Sequence, residues 1–124
     1  MSQIIYKNES YFIIGLCMDI YNELGKGFNE AVYGEALELE LKSNGVPYQK
    51  EAKFNITYKG DILKHHYFAD FLVDDKVCTE LKAVEKINSV HGKQTVNYLA
   101  ASNMKLGLIV NFGEDSLSYK RVIL

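Results

Sequence analysis

The middle of the chain carries two carboxylates and a lysine at a spacing that suits metal-assisted chemistry. Asp70 lies in an apolar segment, and Glu80 and Lys82 follow it, separated from each other by one residue. If residues 74–76 form a three-residue hairpin loop, Asp70 falls opposite Glu80. Since side chains alternate along a strand, Lys82 then projects from the same face as both carboxylates. A two-residue loop would instead put Asp70 and Glu80 on opposite faces of the hairpin.

Two directly opposed carboxylates repel each other and should destabilise this hairpin. The residues around Asp70 are apolar, so we expect a setting of low dielectric constant, where like charges persist only if they are neutralised. A divalent cation would neutralise them, and oxygen ligands favour magnesium or manganese. Lys82 could then hold an attacking water and stabilise a phosphoryl oxygen. The alternative is an exposed salt-bridge ladder on an edge hairpin, which the apolar flanks disfavour.

Two polar residues on predicted helices could join this site. Glu30 lies on the apolar stripe of a helix that would cover the sheet, and it would supply a third carboxylate. Its alternative role is that of a first-turn glutamate stabilised by the helix dipole. Gln94 lies on a later helix and could hydrogen-bond Lys82 or a substrate phosphate. The alternative for Gln94 is a polar helix face that meets solvent or a partner.

The histidines fit this site less well. His91 shares a predicted helix face with Gln94, and we expect it to contact solvent or a partner. His65 and His66 are adjacent, so only His66 can share the face of Asp70, and we predict that it is a hydrogen-bonded strand histidine rather than a ligand. The sequence contains no Gly-rich phosphate loop, CxxC pair or HExxH motif, and no serine in a nucleophile turn.

The pattern of hydrophobic residues predicts three helices and five strands, which must position these side chains. The predicted helices cover residues 9–24, 29–44 and 88–103, and the predicted strands cover residues 50–60, 65–73, 77–83, 106–110 and 117–123. Asn8 is the predicted N-cap of the first helix, and Gly25 is its predicted end. The third helix has Val96, Leu99 and Ala100 as its expected apolar face. The order ααβββαββ predicts an α/β sheet with helices packed on it.

Length and composition suit one domain with one hydrophobic core, spanning residues 1–124. Of the 124 residues, 48% are hydrophobic and 24% are charged, and the formal net charge is −2 from 14 basic and 16 acidic residues. All basic residues but Arg121 are lysines. Nucleic-acid binders usually carry a basic excess, so this balance argues against tight nonspecific DNA binding unless the lysines form a local patch.

Cysteine use and hydropathy favour a reducing compartment. Cys17 and Cys78 are the only cysteines, and they lie in apolar segments without CxxC spacing. We predict two buried free thiols in a cytoplasmic protein. The apolar run at residues 12–18 is far shorter than the roughly 20 residues that span a membrane, and it lacks the features of a signal peptide. We therefore expect no association with a membrane.

Five motifs, in order along the chain, resemble those of the GxxExxY family of the PD-(D/E)XK nuclease superfamily. Residues 27–33 (GFNEAVY) match the motif for which that family is named. Residues 67–73 (YFADFLV) resemble its acidic strand, and residues 80–83 (ELKA) resemble its ExK strand. Residues 94–98 (QTVNY) resemble a QxxxY helix motif, and residues 108–113 (LIVNFG) resemble its closing strand. The resemblance covers nearly the whole chain.

This resemblance implies a restriction-endonuclease-like core of order αβββαβ, with an extra N-terminal helix and a C-terminal strand. It also implies that Asp70 and Glu80 bind the metal, with the Leu81 carbonyl as a further ligand, and that Lys82 is catalytic. Ala69 stands where the superfamily name has proline, a position that bears no chemistry.

The leading hypothesis is a magnesium- or manganese-dependent phosphodiesterase that acts on nucleic acid, with DNA favoured over RNA. Glu30 and Gln94 would support catalysis by Lys82. The second hypothesis is a non-catalytic nucleic-acid- or protein-binding module that retains the nuclease fold, which the acidic balance and the single arginine favour. A third is a subunit that cleaves only within a larger assembly. A homodimer would suit a double-stranded substrate.

Overall fold

The computed structural model describes residues 6–124, and it contains three helices and five strands in the predicted order ααβββαββ. The helices are α1 (Lys7–Leu24), α2 (Glu30–Ser43) and α3 (Ser89–Ser102). The strands are β1 (Tyr48–Tyr58), β2 (Asp61–Val73), β3 (Val77–Lys82), β4 (Leu106–Asn111) and β5 (Ser118–Ile123).

The ends of the first two helices follow local sequence signals, with one exception. The predicted N-cap at Asn8 is wrong, because α1 already begins at Lys7 after Tyr6, whose backbone is left-handed (φ 49°) and whose side chain makes no capping bond. Gly25 ends α1 as predicted, at a positive φ of 69° that glycine adopts without strain. Asn29 caps α2 by accepting a hydrogen bond of 3.2 Å from the backbone N–H of Val32.

The five strands form one mixed sheet in the order β1-β2-β3-β4-β5. Pairing is antiparallel except between β3 and β4, which run parallel and are joined through α3. A parallel pair needs such a crossover, which places α3 on one face of the sheet. This is the predicted α/β architecture, with the N-terminal helix and C-terminal strand added to an αβββαβ core.

Buried side chains form two layers, one on each face of the sheet. One layer packs α1 and α2 against the strands through side chains such as Ile13, Tyr33, Leu37 and Phe71. The other packs α3 against the opposite face, with Leu99 at its centre. Six consecutive residues of β4 are buried, which confirms that this strand is covered on both faces.

The predicted apolar face of α3 is correct at Leu99, which is fully buried, and wrong at Val96 and Ala100. Its buried residues are Gly92, Thr95 and Leu99, whereas Val96 is 36% exposed and Ala100 is exposed. Hydrophobicity alone favoured Val96 and Ala100. The structure instead turns Gly92 and Thr95 towards the sheet beside Leu99, where their small size lets the helix approach closely.

Both cysteines are buried and free, as predicted, and burial raises the pKa of Cys17 to about 12 and that of Cys78 to about 11. Such thiols are poor nucleophiles. Among residues 6–124, no helix combines the length and hydrophobicity needed to cross a lipid bilayer.

Candidate active site

The candidate site lies where strands β2 and β3 stop pairing. Their ladder contains three residue pairs and begins with Val73 opposite Val77, so the predicted three-residue loop is confirmed. It ends with Phe71 opposite Thr79. Beyond this pair the ladder does not continue, although β2 extends back to Asp61 and β3 runs on to Lys82. Asp70 and the residues after Thr79 therefore border a gap between the two strands.

Asp70 reaches into this gap and bonds to the backbone of β3. Its Oδ2 atom accepts a hydrogen bond of 2.8 Å from the backbone N–H of Leu81. The Asp70 carboxyl also lies close enough to Glu80 to raise the pKa of that side chain. The two carboxyl groups are thus neighbours, as the sequence predicts. They approach each other across the gap, and Asp70 and Glu80 are not a residue pair of the β2–β3 ladder.

The sequence predicts that Asp70 projects from the same face as Glu80 and Lys82, but Asp70 lines a different cavity from these two residues, and the alternation of β2 is interrupted at this point. Ala69 belongs to the core layer beneath α3, whereas Phe71 belongs to the layer beneath α1 and α2, although a regular strand would put both on one face. The neighbouring position on β1 is also irregular. Glu51 has a φ of 53°, and no pair with Asp70 forms in the ladder.

Glu80 and Lys82 do share a face, and both line a cavity of about 220 Å³ between α3 and the sheet. Glu80 is half-buried, and its pKa is raised to about 8. The largest cause is loss of solvation on burial, followed by the adjacent Asp70 carboxylate, while the Lys82 ammonium lowers it in part. At neutral pH a glutamate with this pKa keeps its proton unless a cation replaces it.

Gln94 lines the same cavity as Glu80 and Lys82, so the structure brings these three residues together. His91 borders it as well, but its Nδ1 accepts a hydrogen bond of 3.4 Å from the backbone N–H of Asn88. This bond belongs to a capping box at the start of α3, which gives His91 a structural role.

Glu30 lies on the other side of the gap. It is an exposed residue in the first turn of α2, and it lines a second cavity of about 220 Å³ with Asp70 and Leu81. The structure therefore brings Glu30 to Asp70, but not to Lys82. Its position also satisfies the alternative role, since a carboxylate in the first turn of a helix is stabilised by the helix dipole. His66 lines neither of these two cavities.

The donor set suits one divalent cation bound mainly by carboxylates. Among residues 6–124 no group of three or more His, Cys, Asp or Glu side chains is arranged to hold a metal. The candidate donors are therefore two carboxylates and a backbone oxygen. The N–H and C=O of one strand residue point to the same side, so the Leu81 carbonyl faces the gap that its N–H shares with Asp70. Oxygen donors of this kind fit magnesium or manganese.

Sequence reasoning missed the role of Asn111, which fixes the chain just after Lys82. Its buried amide accepts hydrogen bonds from the backbone N–H groups of Val84 and Gly113, each 3.0 Å long. It donates to the Val84 carbonyl at 2.9 Å and to Glu114 Oε2 at 2.8 Å. A polar residue at the end of the apolar strand β4 was the available signal.

Gly113 is required beside this amide by a close backbone approach. A Cβ atom built at Gly113 would lie 2.3 Å from the Val84 carbonyl oxygen and 2.5 Å from its nitrogen. In addition, the Phe112 backbone N–H donates to the Lys82 carbonyl at 2.8 Å. The segment after β4 is thus bonded to the end of β3, and these contacts fix the backbone position of Lys82.

Comparison with known proteins identifies a family and two similar structures. A family model described as the PD-(D/E)XK nuclease superfamily matches residues 7–122. The crystal structure of SSO0001 is similar over 94% of this chain and 78% of its own, with a TM-score of 0.52 and 15% identity. An alkaline exonuclease (LHK-Exo) from Laribacter hongkongensis is similar over 99% of this chain and 72% of its own, with a TM-score of 0.45 and 11% identity. No curated protein sequence matches the chain significantly. The likeness to SSO0001 supports the fold alone.

Proposed function

The chain belongs to the PD-(D/E)XK nuclease superfamily, and on this premise we propose that it is a metal-dependent phosphodiesterase acting on nucleic acid. The observation that carries the proposal is the meeting of Asp70 and Glu80 at a break in the sheet, with Lys82 in the same cavity as Glu80. A purely structural sheet would not place two carboxyl groups in contact, because one of them must then either keep its proton or be repelled by the other.

Asp70, Glu80 and the Leu81 carbonyl would hold magnesium or manganese. A bound cation of this kind supplies Lewis-acid polarisation of a phosphoryl oxygen and lowers the pKa of a coordinated water. Glu80 must release its proton to act as a ligand, so its raised pKa couples metal affinity to pH. Because Asp70 and Glu80 are both half-buried, a cation bound between them would strongly offset the repulsion between their charges.

Lys82 would act on the substrate rather than on the cation. From its cavity its ammonium can orient the attacking water and offset the negative charge that builds up on the phosphoryl oxygens. Gln94, in the same cavity, can hydrogen-bond the phosphate or Lys82 and so position the substrate. Glu30 borders Asp70 from the other side, and it would contribute through a water molecule.

We further propose DNA rather than RNA as the substrate, a cytoplasmic location and a homodimer. The buried free cysteines are compatible with a reducing compartment. With a net charge of −2, electrostatic attraction to phosphates has to come from a local group of lysines.

The second candidate is a binding module that keeps the fold without turnover. It is favoured by the lack of any third acidic or histidine ligand grouped with Asp70 and Glu80 among the described residues. A nuclease panel separates the two functions. Purified protein is incubated with magnesium or manganese and with single-stranded, duplex and branched DNA and RNA. Metal-dependent cleavage supports the enzyme, whereas binding without cleavage of any substrate supports the module.

A further inference from the structure

The β1–β2 hairpin extends beyond the rest of the sheet and presents one exposed face beside the candidate active site. Its ladder continues past the end of the β2–β3 ladder and pairs Lys53 with Phe68 and Asn55 with His66. All four of these residues are exposed. Phe54 and Tyr67, which alternate with them, belong to the core layer beneath α3. We call the exposed set Lys53, Asn55, His66 and Phe68 the outer face of the hairpin.

The outer face carries an aromatic group held in place from behind. Phe68 is 53% exposed, and the His66 ring contacts it edge-on, with ring centroids 5.1 Å apart at 86°. On the inner side, Tyr67 stacks on Phe54 at 5.3 Å and on Tyr98 of α3 at 3.7 Å. This buried stack fixes the strand that carries Phe68. The exposed ring is therefore on a rigid support rather than on a loop.

Phe68 also belongs to the candidate active site. It borders the cavity that contains Glu80, Lys82 and Gln94, although it projects from the face opposite to Tyr67, and it precedes Asp70 by two residues on the same strand. A single exposed aromatic residue is ordinary on a protein surface. An exposed ring at the rim of a cavity that holds a lysine and a carboxylate is in a position to contact a substrate.

The size of the cavity limits what can enter it. Its volume of about 220 Å³ is below the roughly 300–1,000 Å³ of pockets that enclose a small molecule. A phosphate can reach Lys82 and Gln94 there, but a complete nucleotide cannot be enclosed with it. The base attached to that phosphate must lie outside, against the rim. Phe68 is the apolar ring available at that rim.

On the basis of the proposed function, we propose that Phe68 and His66 form a stacking platform for one unpaired nucleobase next to the scissile phosphate. Lys53, the cross-strand neighbour of Phe68, contacts a backbone phosphate of the same strand. Aromatic rings bind the faces of bases without strong sequence preference, and a base is free to stack on a protein only when it is unpaired. The substrate is therefore single-stranded at the site.

The test measures binding of a short single strand that carries 2-aminopurine, in a Lys82→Ala background with manganese so that the strand is not cut. Phe68→Leu removes the ring but keeps an apolar side chain, and Phe68→Trp keeps a ring. Tyr119→Leu is the matched control, since Tyr119 is an aromatic residue on β5 that is 42% exposed. We expect Phe68→Leu to weaken binding roughly 5- to 150-fold, the loss that corresponds to one base–aromatic stack. It should also abolish the change in 2-aminopurine fluorescence that accompanies binding to the parent.

Phe68→Trp and Tyr119→Leu should bind as the parent does. Lys53→Ala should lower the slope of log affinity against log salt concentration by about one, the value for one phosphate contact. Equal binding by Phe68→Leu and the parent would overturn the platform, as would tighter parental binding to blunt duplex or the absence of all binding. A parallel cleavage assay on the chain with Lys82 intact keeps the two proposals separate. Phe68-dependent binding without cleavage contradicts the phosphodiesterase alone, and cleavage without Phe68 dependence contradicts the platform alone.

Discussion

The Asp70 carboxylate accepts a 2.8 Å hydrogen bond from the backbone N–H of Leu81, at the point where strands β2 and β3 stop pairing. In a continuous ladder this N–H would bond to a backbone carbonyl of β2. Here a side chain takes that place, so the sheet opens without leaving the donor unsatisfied. This opening lets two carboxyl groups from neighbouring strands face each other.

Divalent metal should stabilise the folded protein through Asp70 and Glu80. We expect manganese at 100 times its dissociation constant to raise the free energy of unfolding by about 2.7 kcal/mol, because the cation binds only the folded state. Asp70→Asn and Glu80→Gln should lose most of this gain. Asp61→Asn, which changes an exposed carboxylate at the hairpin turn, should keep it. Thermal melts with and without manganese measure the effect, and a wild-type curve that ignores the metal would refute the site.

The metal-free protein should lose stability as the pH rises from about 5 to about 8. The pKa of Glu80 is raised from 4.5 in the unfolded chain to about 8 in the fold, so the folded state binds this proton more tightly. The stabilisation is complete below the lower value and is lost as pH rises through the upper one. The slope should approach about 1.4 kcal/mol per pH unit.

Glu80→Gln is the variant that tests this pH dependence, since glutamine cannot release a proton. Urea unfolding in the presence of a chelator, repeated across the pH window, should give a flatter profile for Glu80→Gln than for the wild type. Parallel profiles would show that Glu80 titrates normally. In the wild type, metal uptake near neutral pH should release close to one proton, which calorimetry in two buffers measures.

Lys82→Ala should abolish metal-dependent cleavage while leaving the fold and the metal affinity nearly unchanged. Lys82 is assigned to water and to the charge of the transition state, whereas the carboxylates bind the cation. Loss of such a charged group costs on the order of 100-fold or more in the rate of cleavage. Lys105→Ala, at an exposed lysine before β4, is the control and should cut normally. Cleavage by Lys82→Ala at the wild-type rate would place the activity elsewhere.

Asn111 and Gly113 should be needed for stability, because they fasten the end of β4 to the segment after Lys82. Asn111→Asp removes the donor of two hydrogen bonds and places a second carboxylate beside Glu114. We expect the free energy of unfolding to fall by about 1–3 kcal/mol, because Asn111 loses its donor and gains a charge that repels Glu114. Gly113→Ala should also destabilise, because its Cβ would overlap the Val84 backbone. Asn97→Ala, on the exposed side of α3, is the control for chemical denaturation. A wild-type midpoint for Asn111→Asp would contradict this role.

The fold was predictable to a large extent because its signals are local. Gly25 and Asn29 mark helix ends by backbone and capping chemistry, and the continuous apolar strand β4 is readable as buried on both faces. The hairpin loop at residues 74–76 was also predicted correctly, so the neighbourhood of Asp70 and Glu80 followed from register. The family match confirms the superfamily, while the narrower GxxExxY assignment and the ligand roles stay predictions.

The features that the sequence did not predict depend on local departures from regular strand and helix geometry, which a periodic pattern of residues does not show. Strict alternation put Asp70 on the face of Lys82, but the strand changes its facing between Ala69 and Phe71. The face of α3 was misjudged for a related reason: small residues such as Gly92 lie against the sheet, so hydrophobicity was a poor guide to contact. The bonds of Asn111 join segments whose proximity only the folded chain creates.

The stretch of β2 from Asp61 to Phe68 has a consequence for self-association. In the described part of the chain this stretch pairs with β1 on one side only, so its other edge presents free backbone groups to solvent. Such an edge is a template on which a strand from another molecule can add, and natural proteins protect it with charge. Lys64, His65 and His66 stand on this edge strand, next to the exposed side chains of Ile62 and Leu63. We therefore expect Lys64→Val to promote aggregation while the stability of the folded chain stays nearly unchanged.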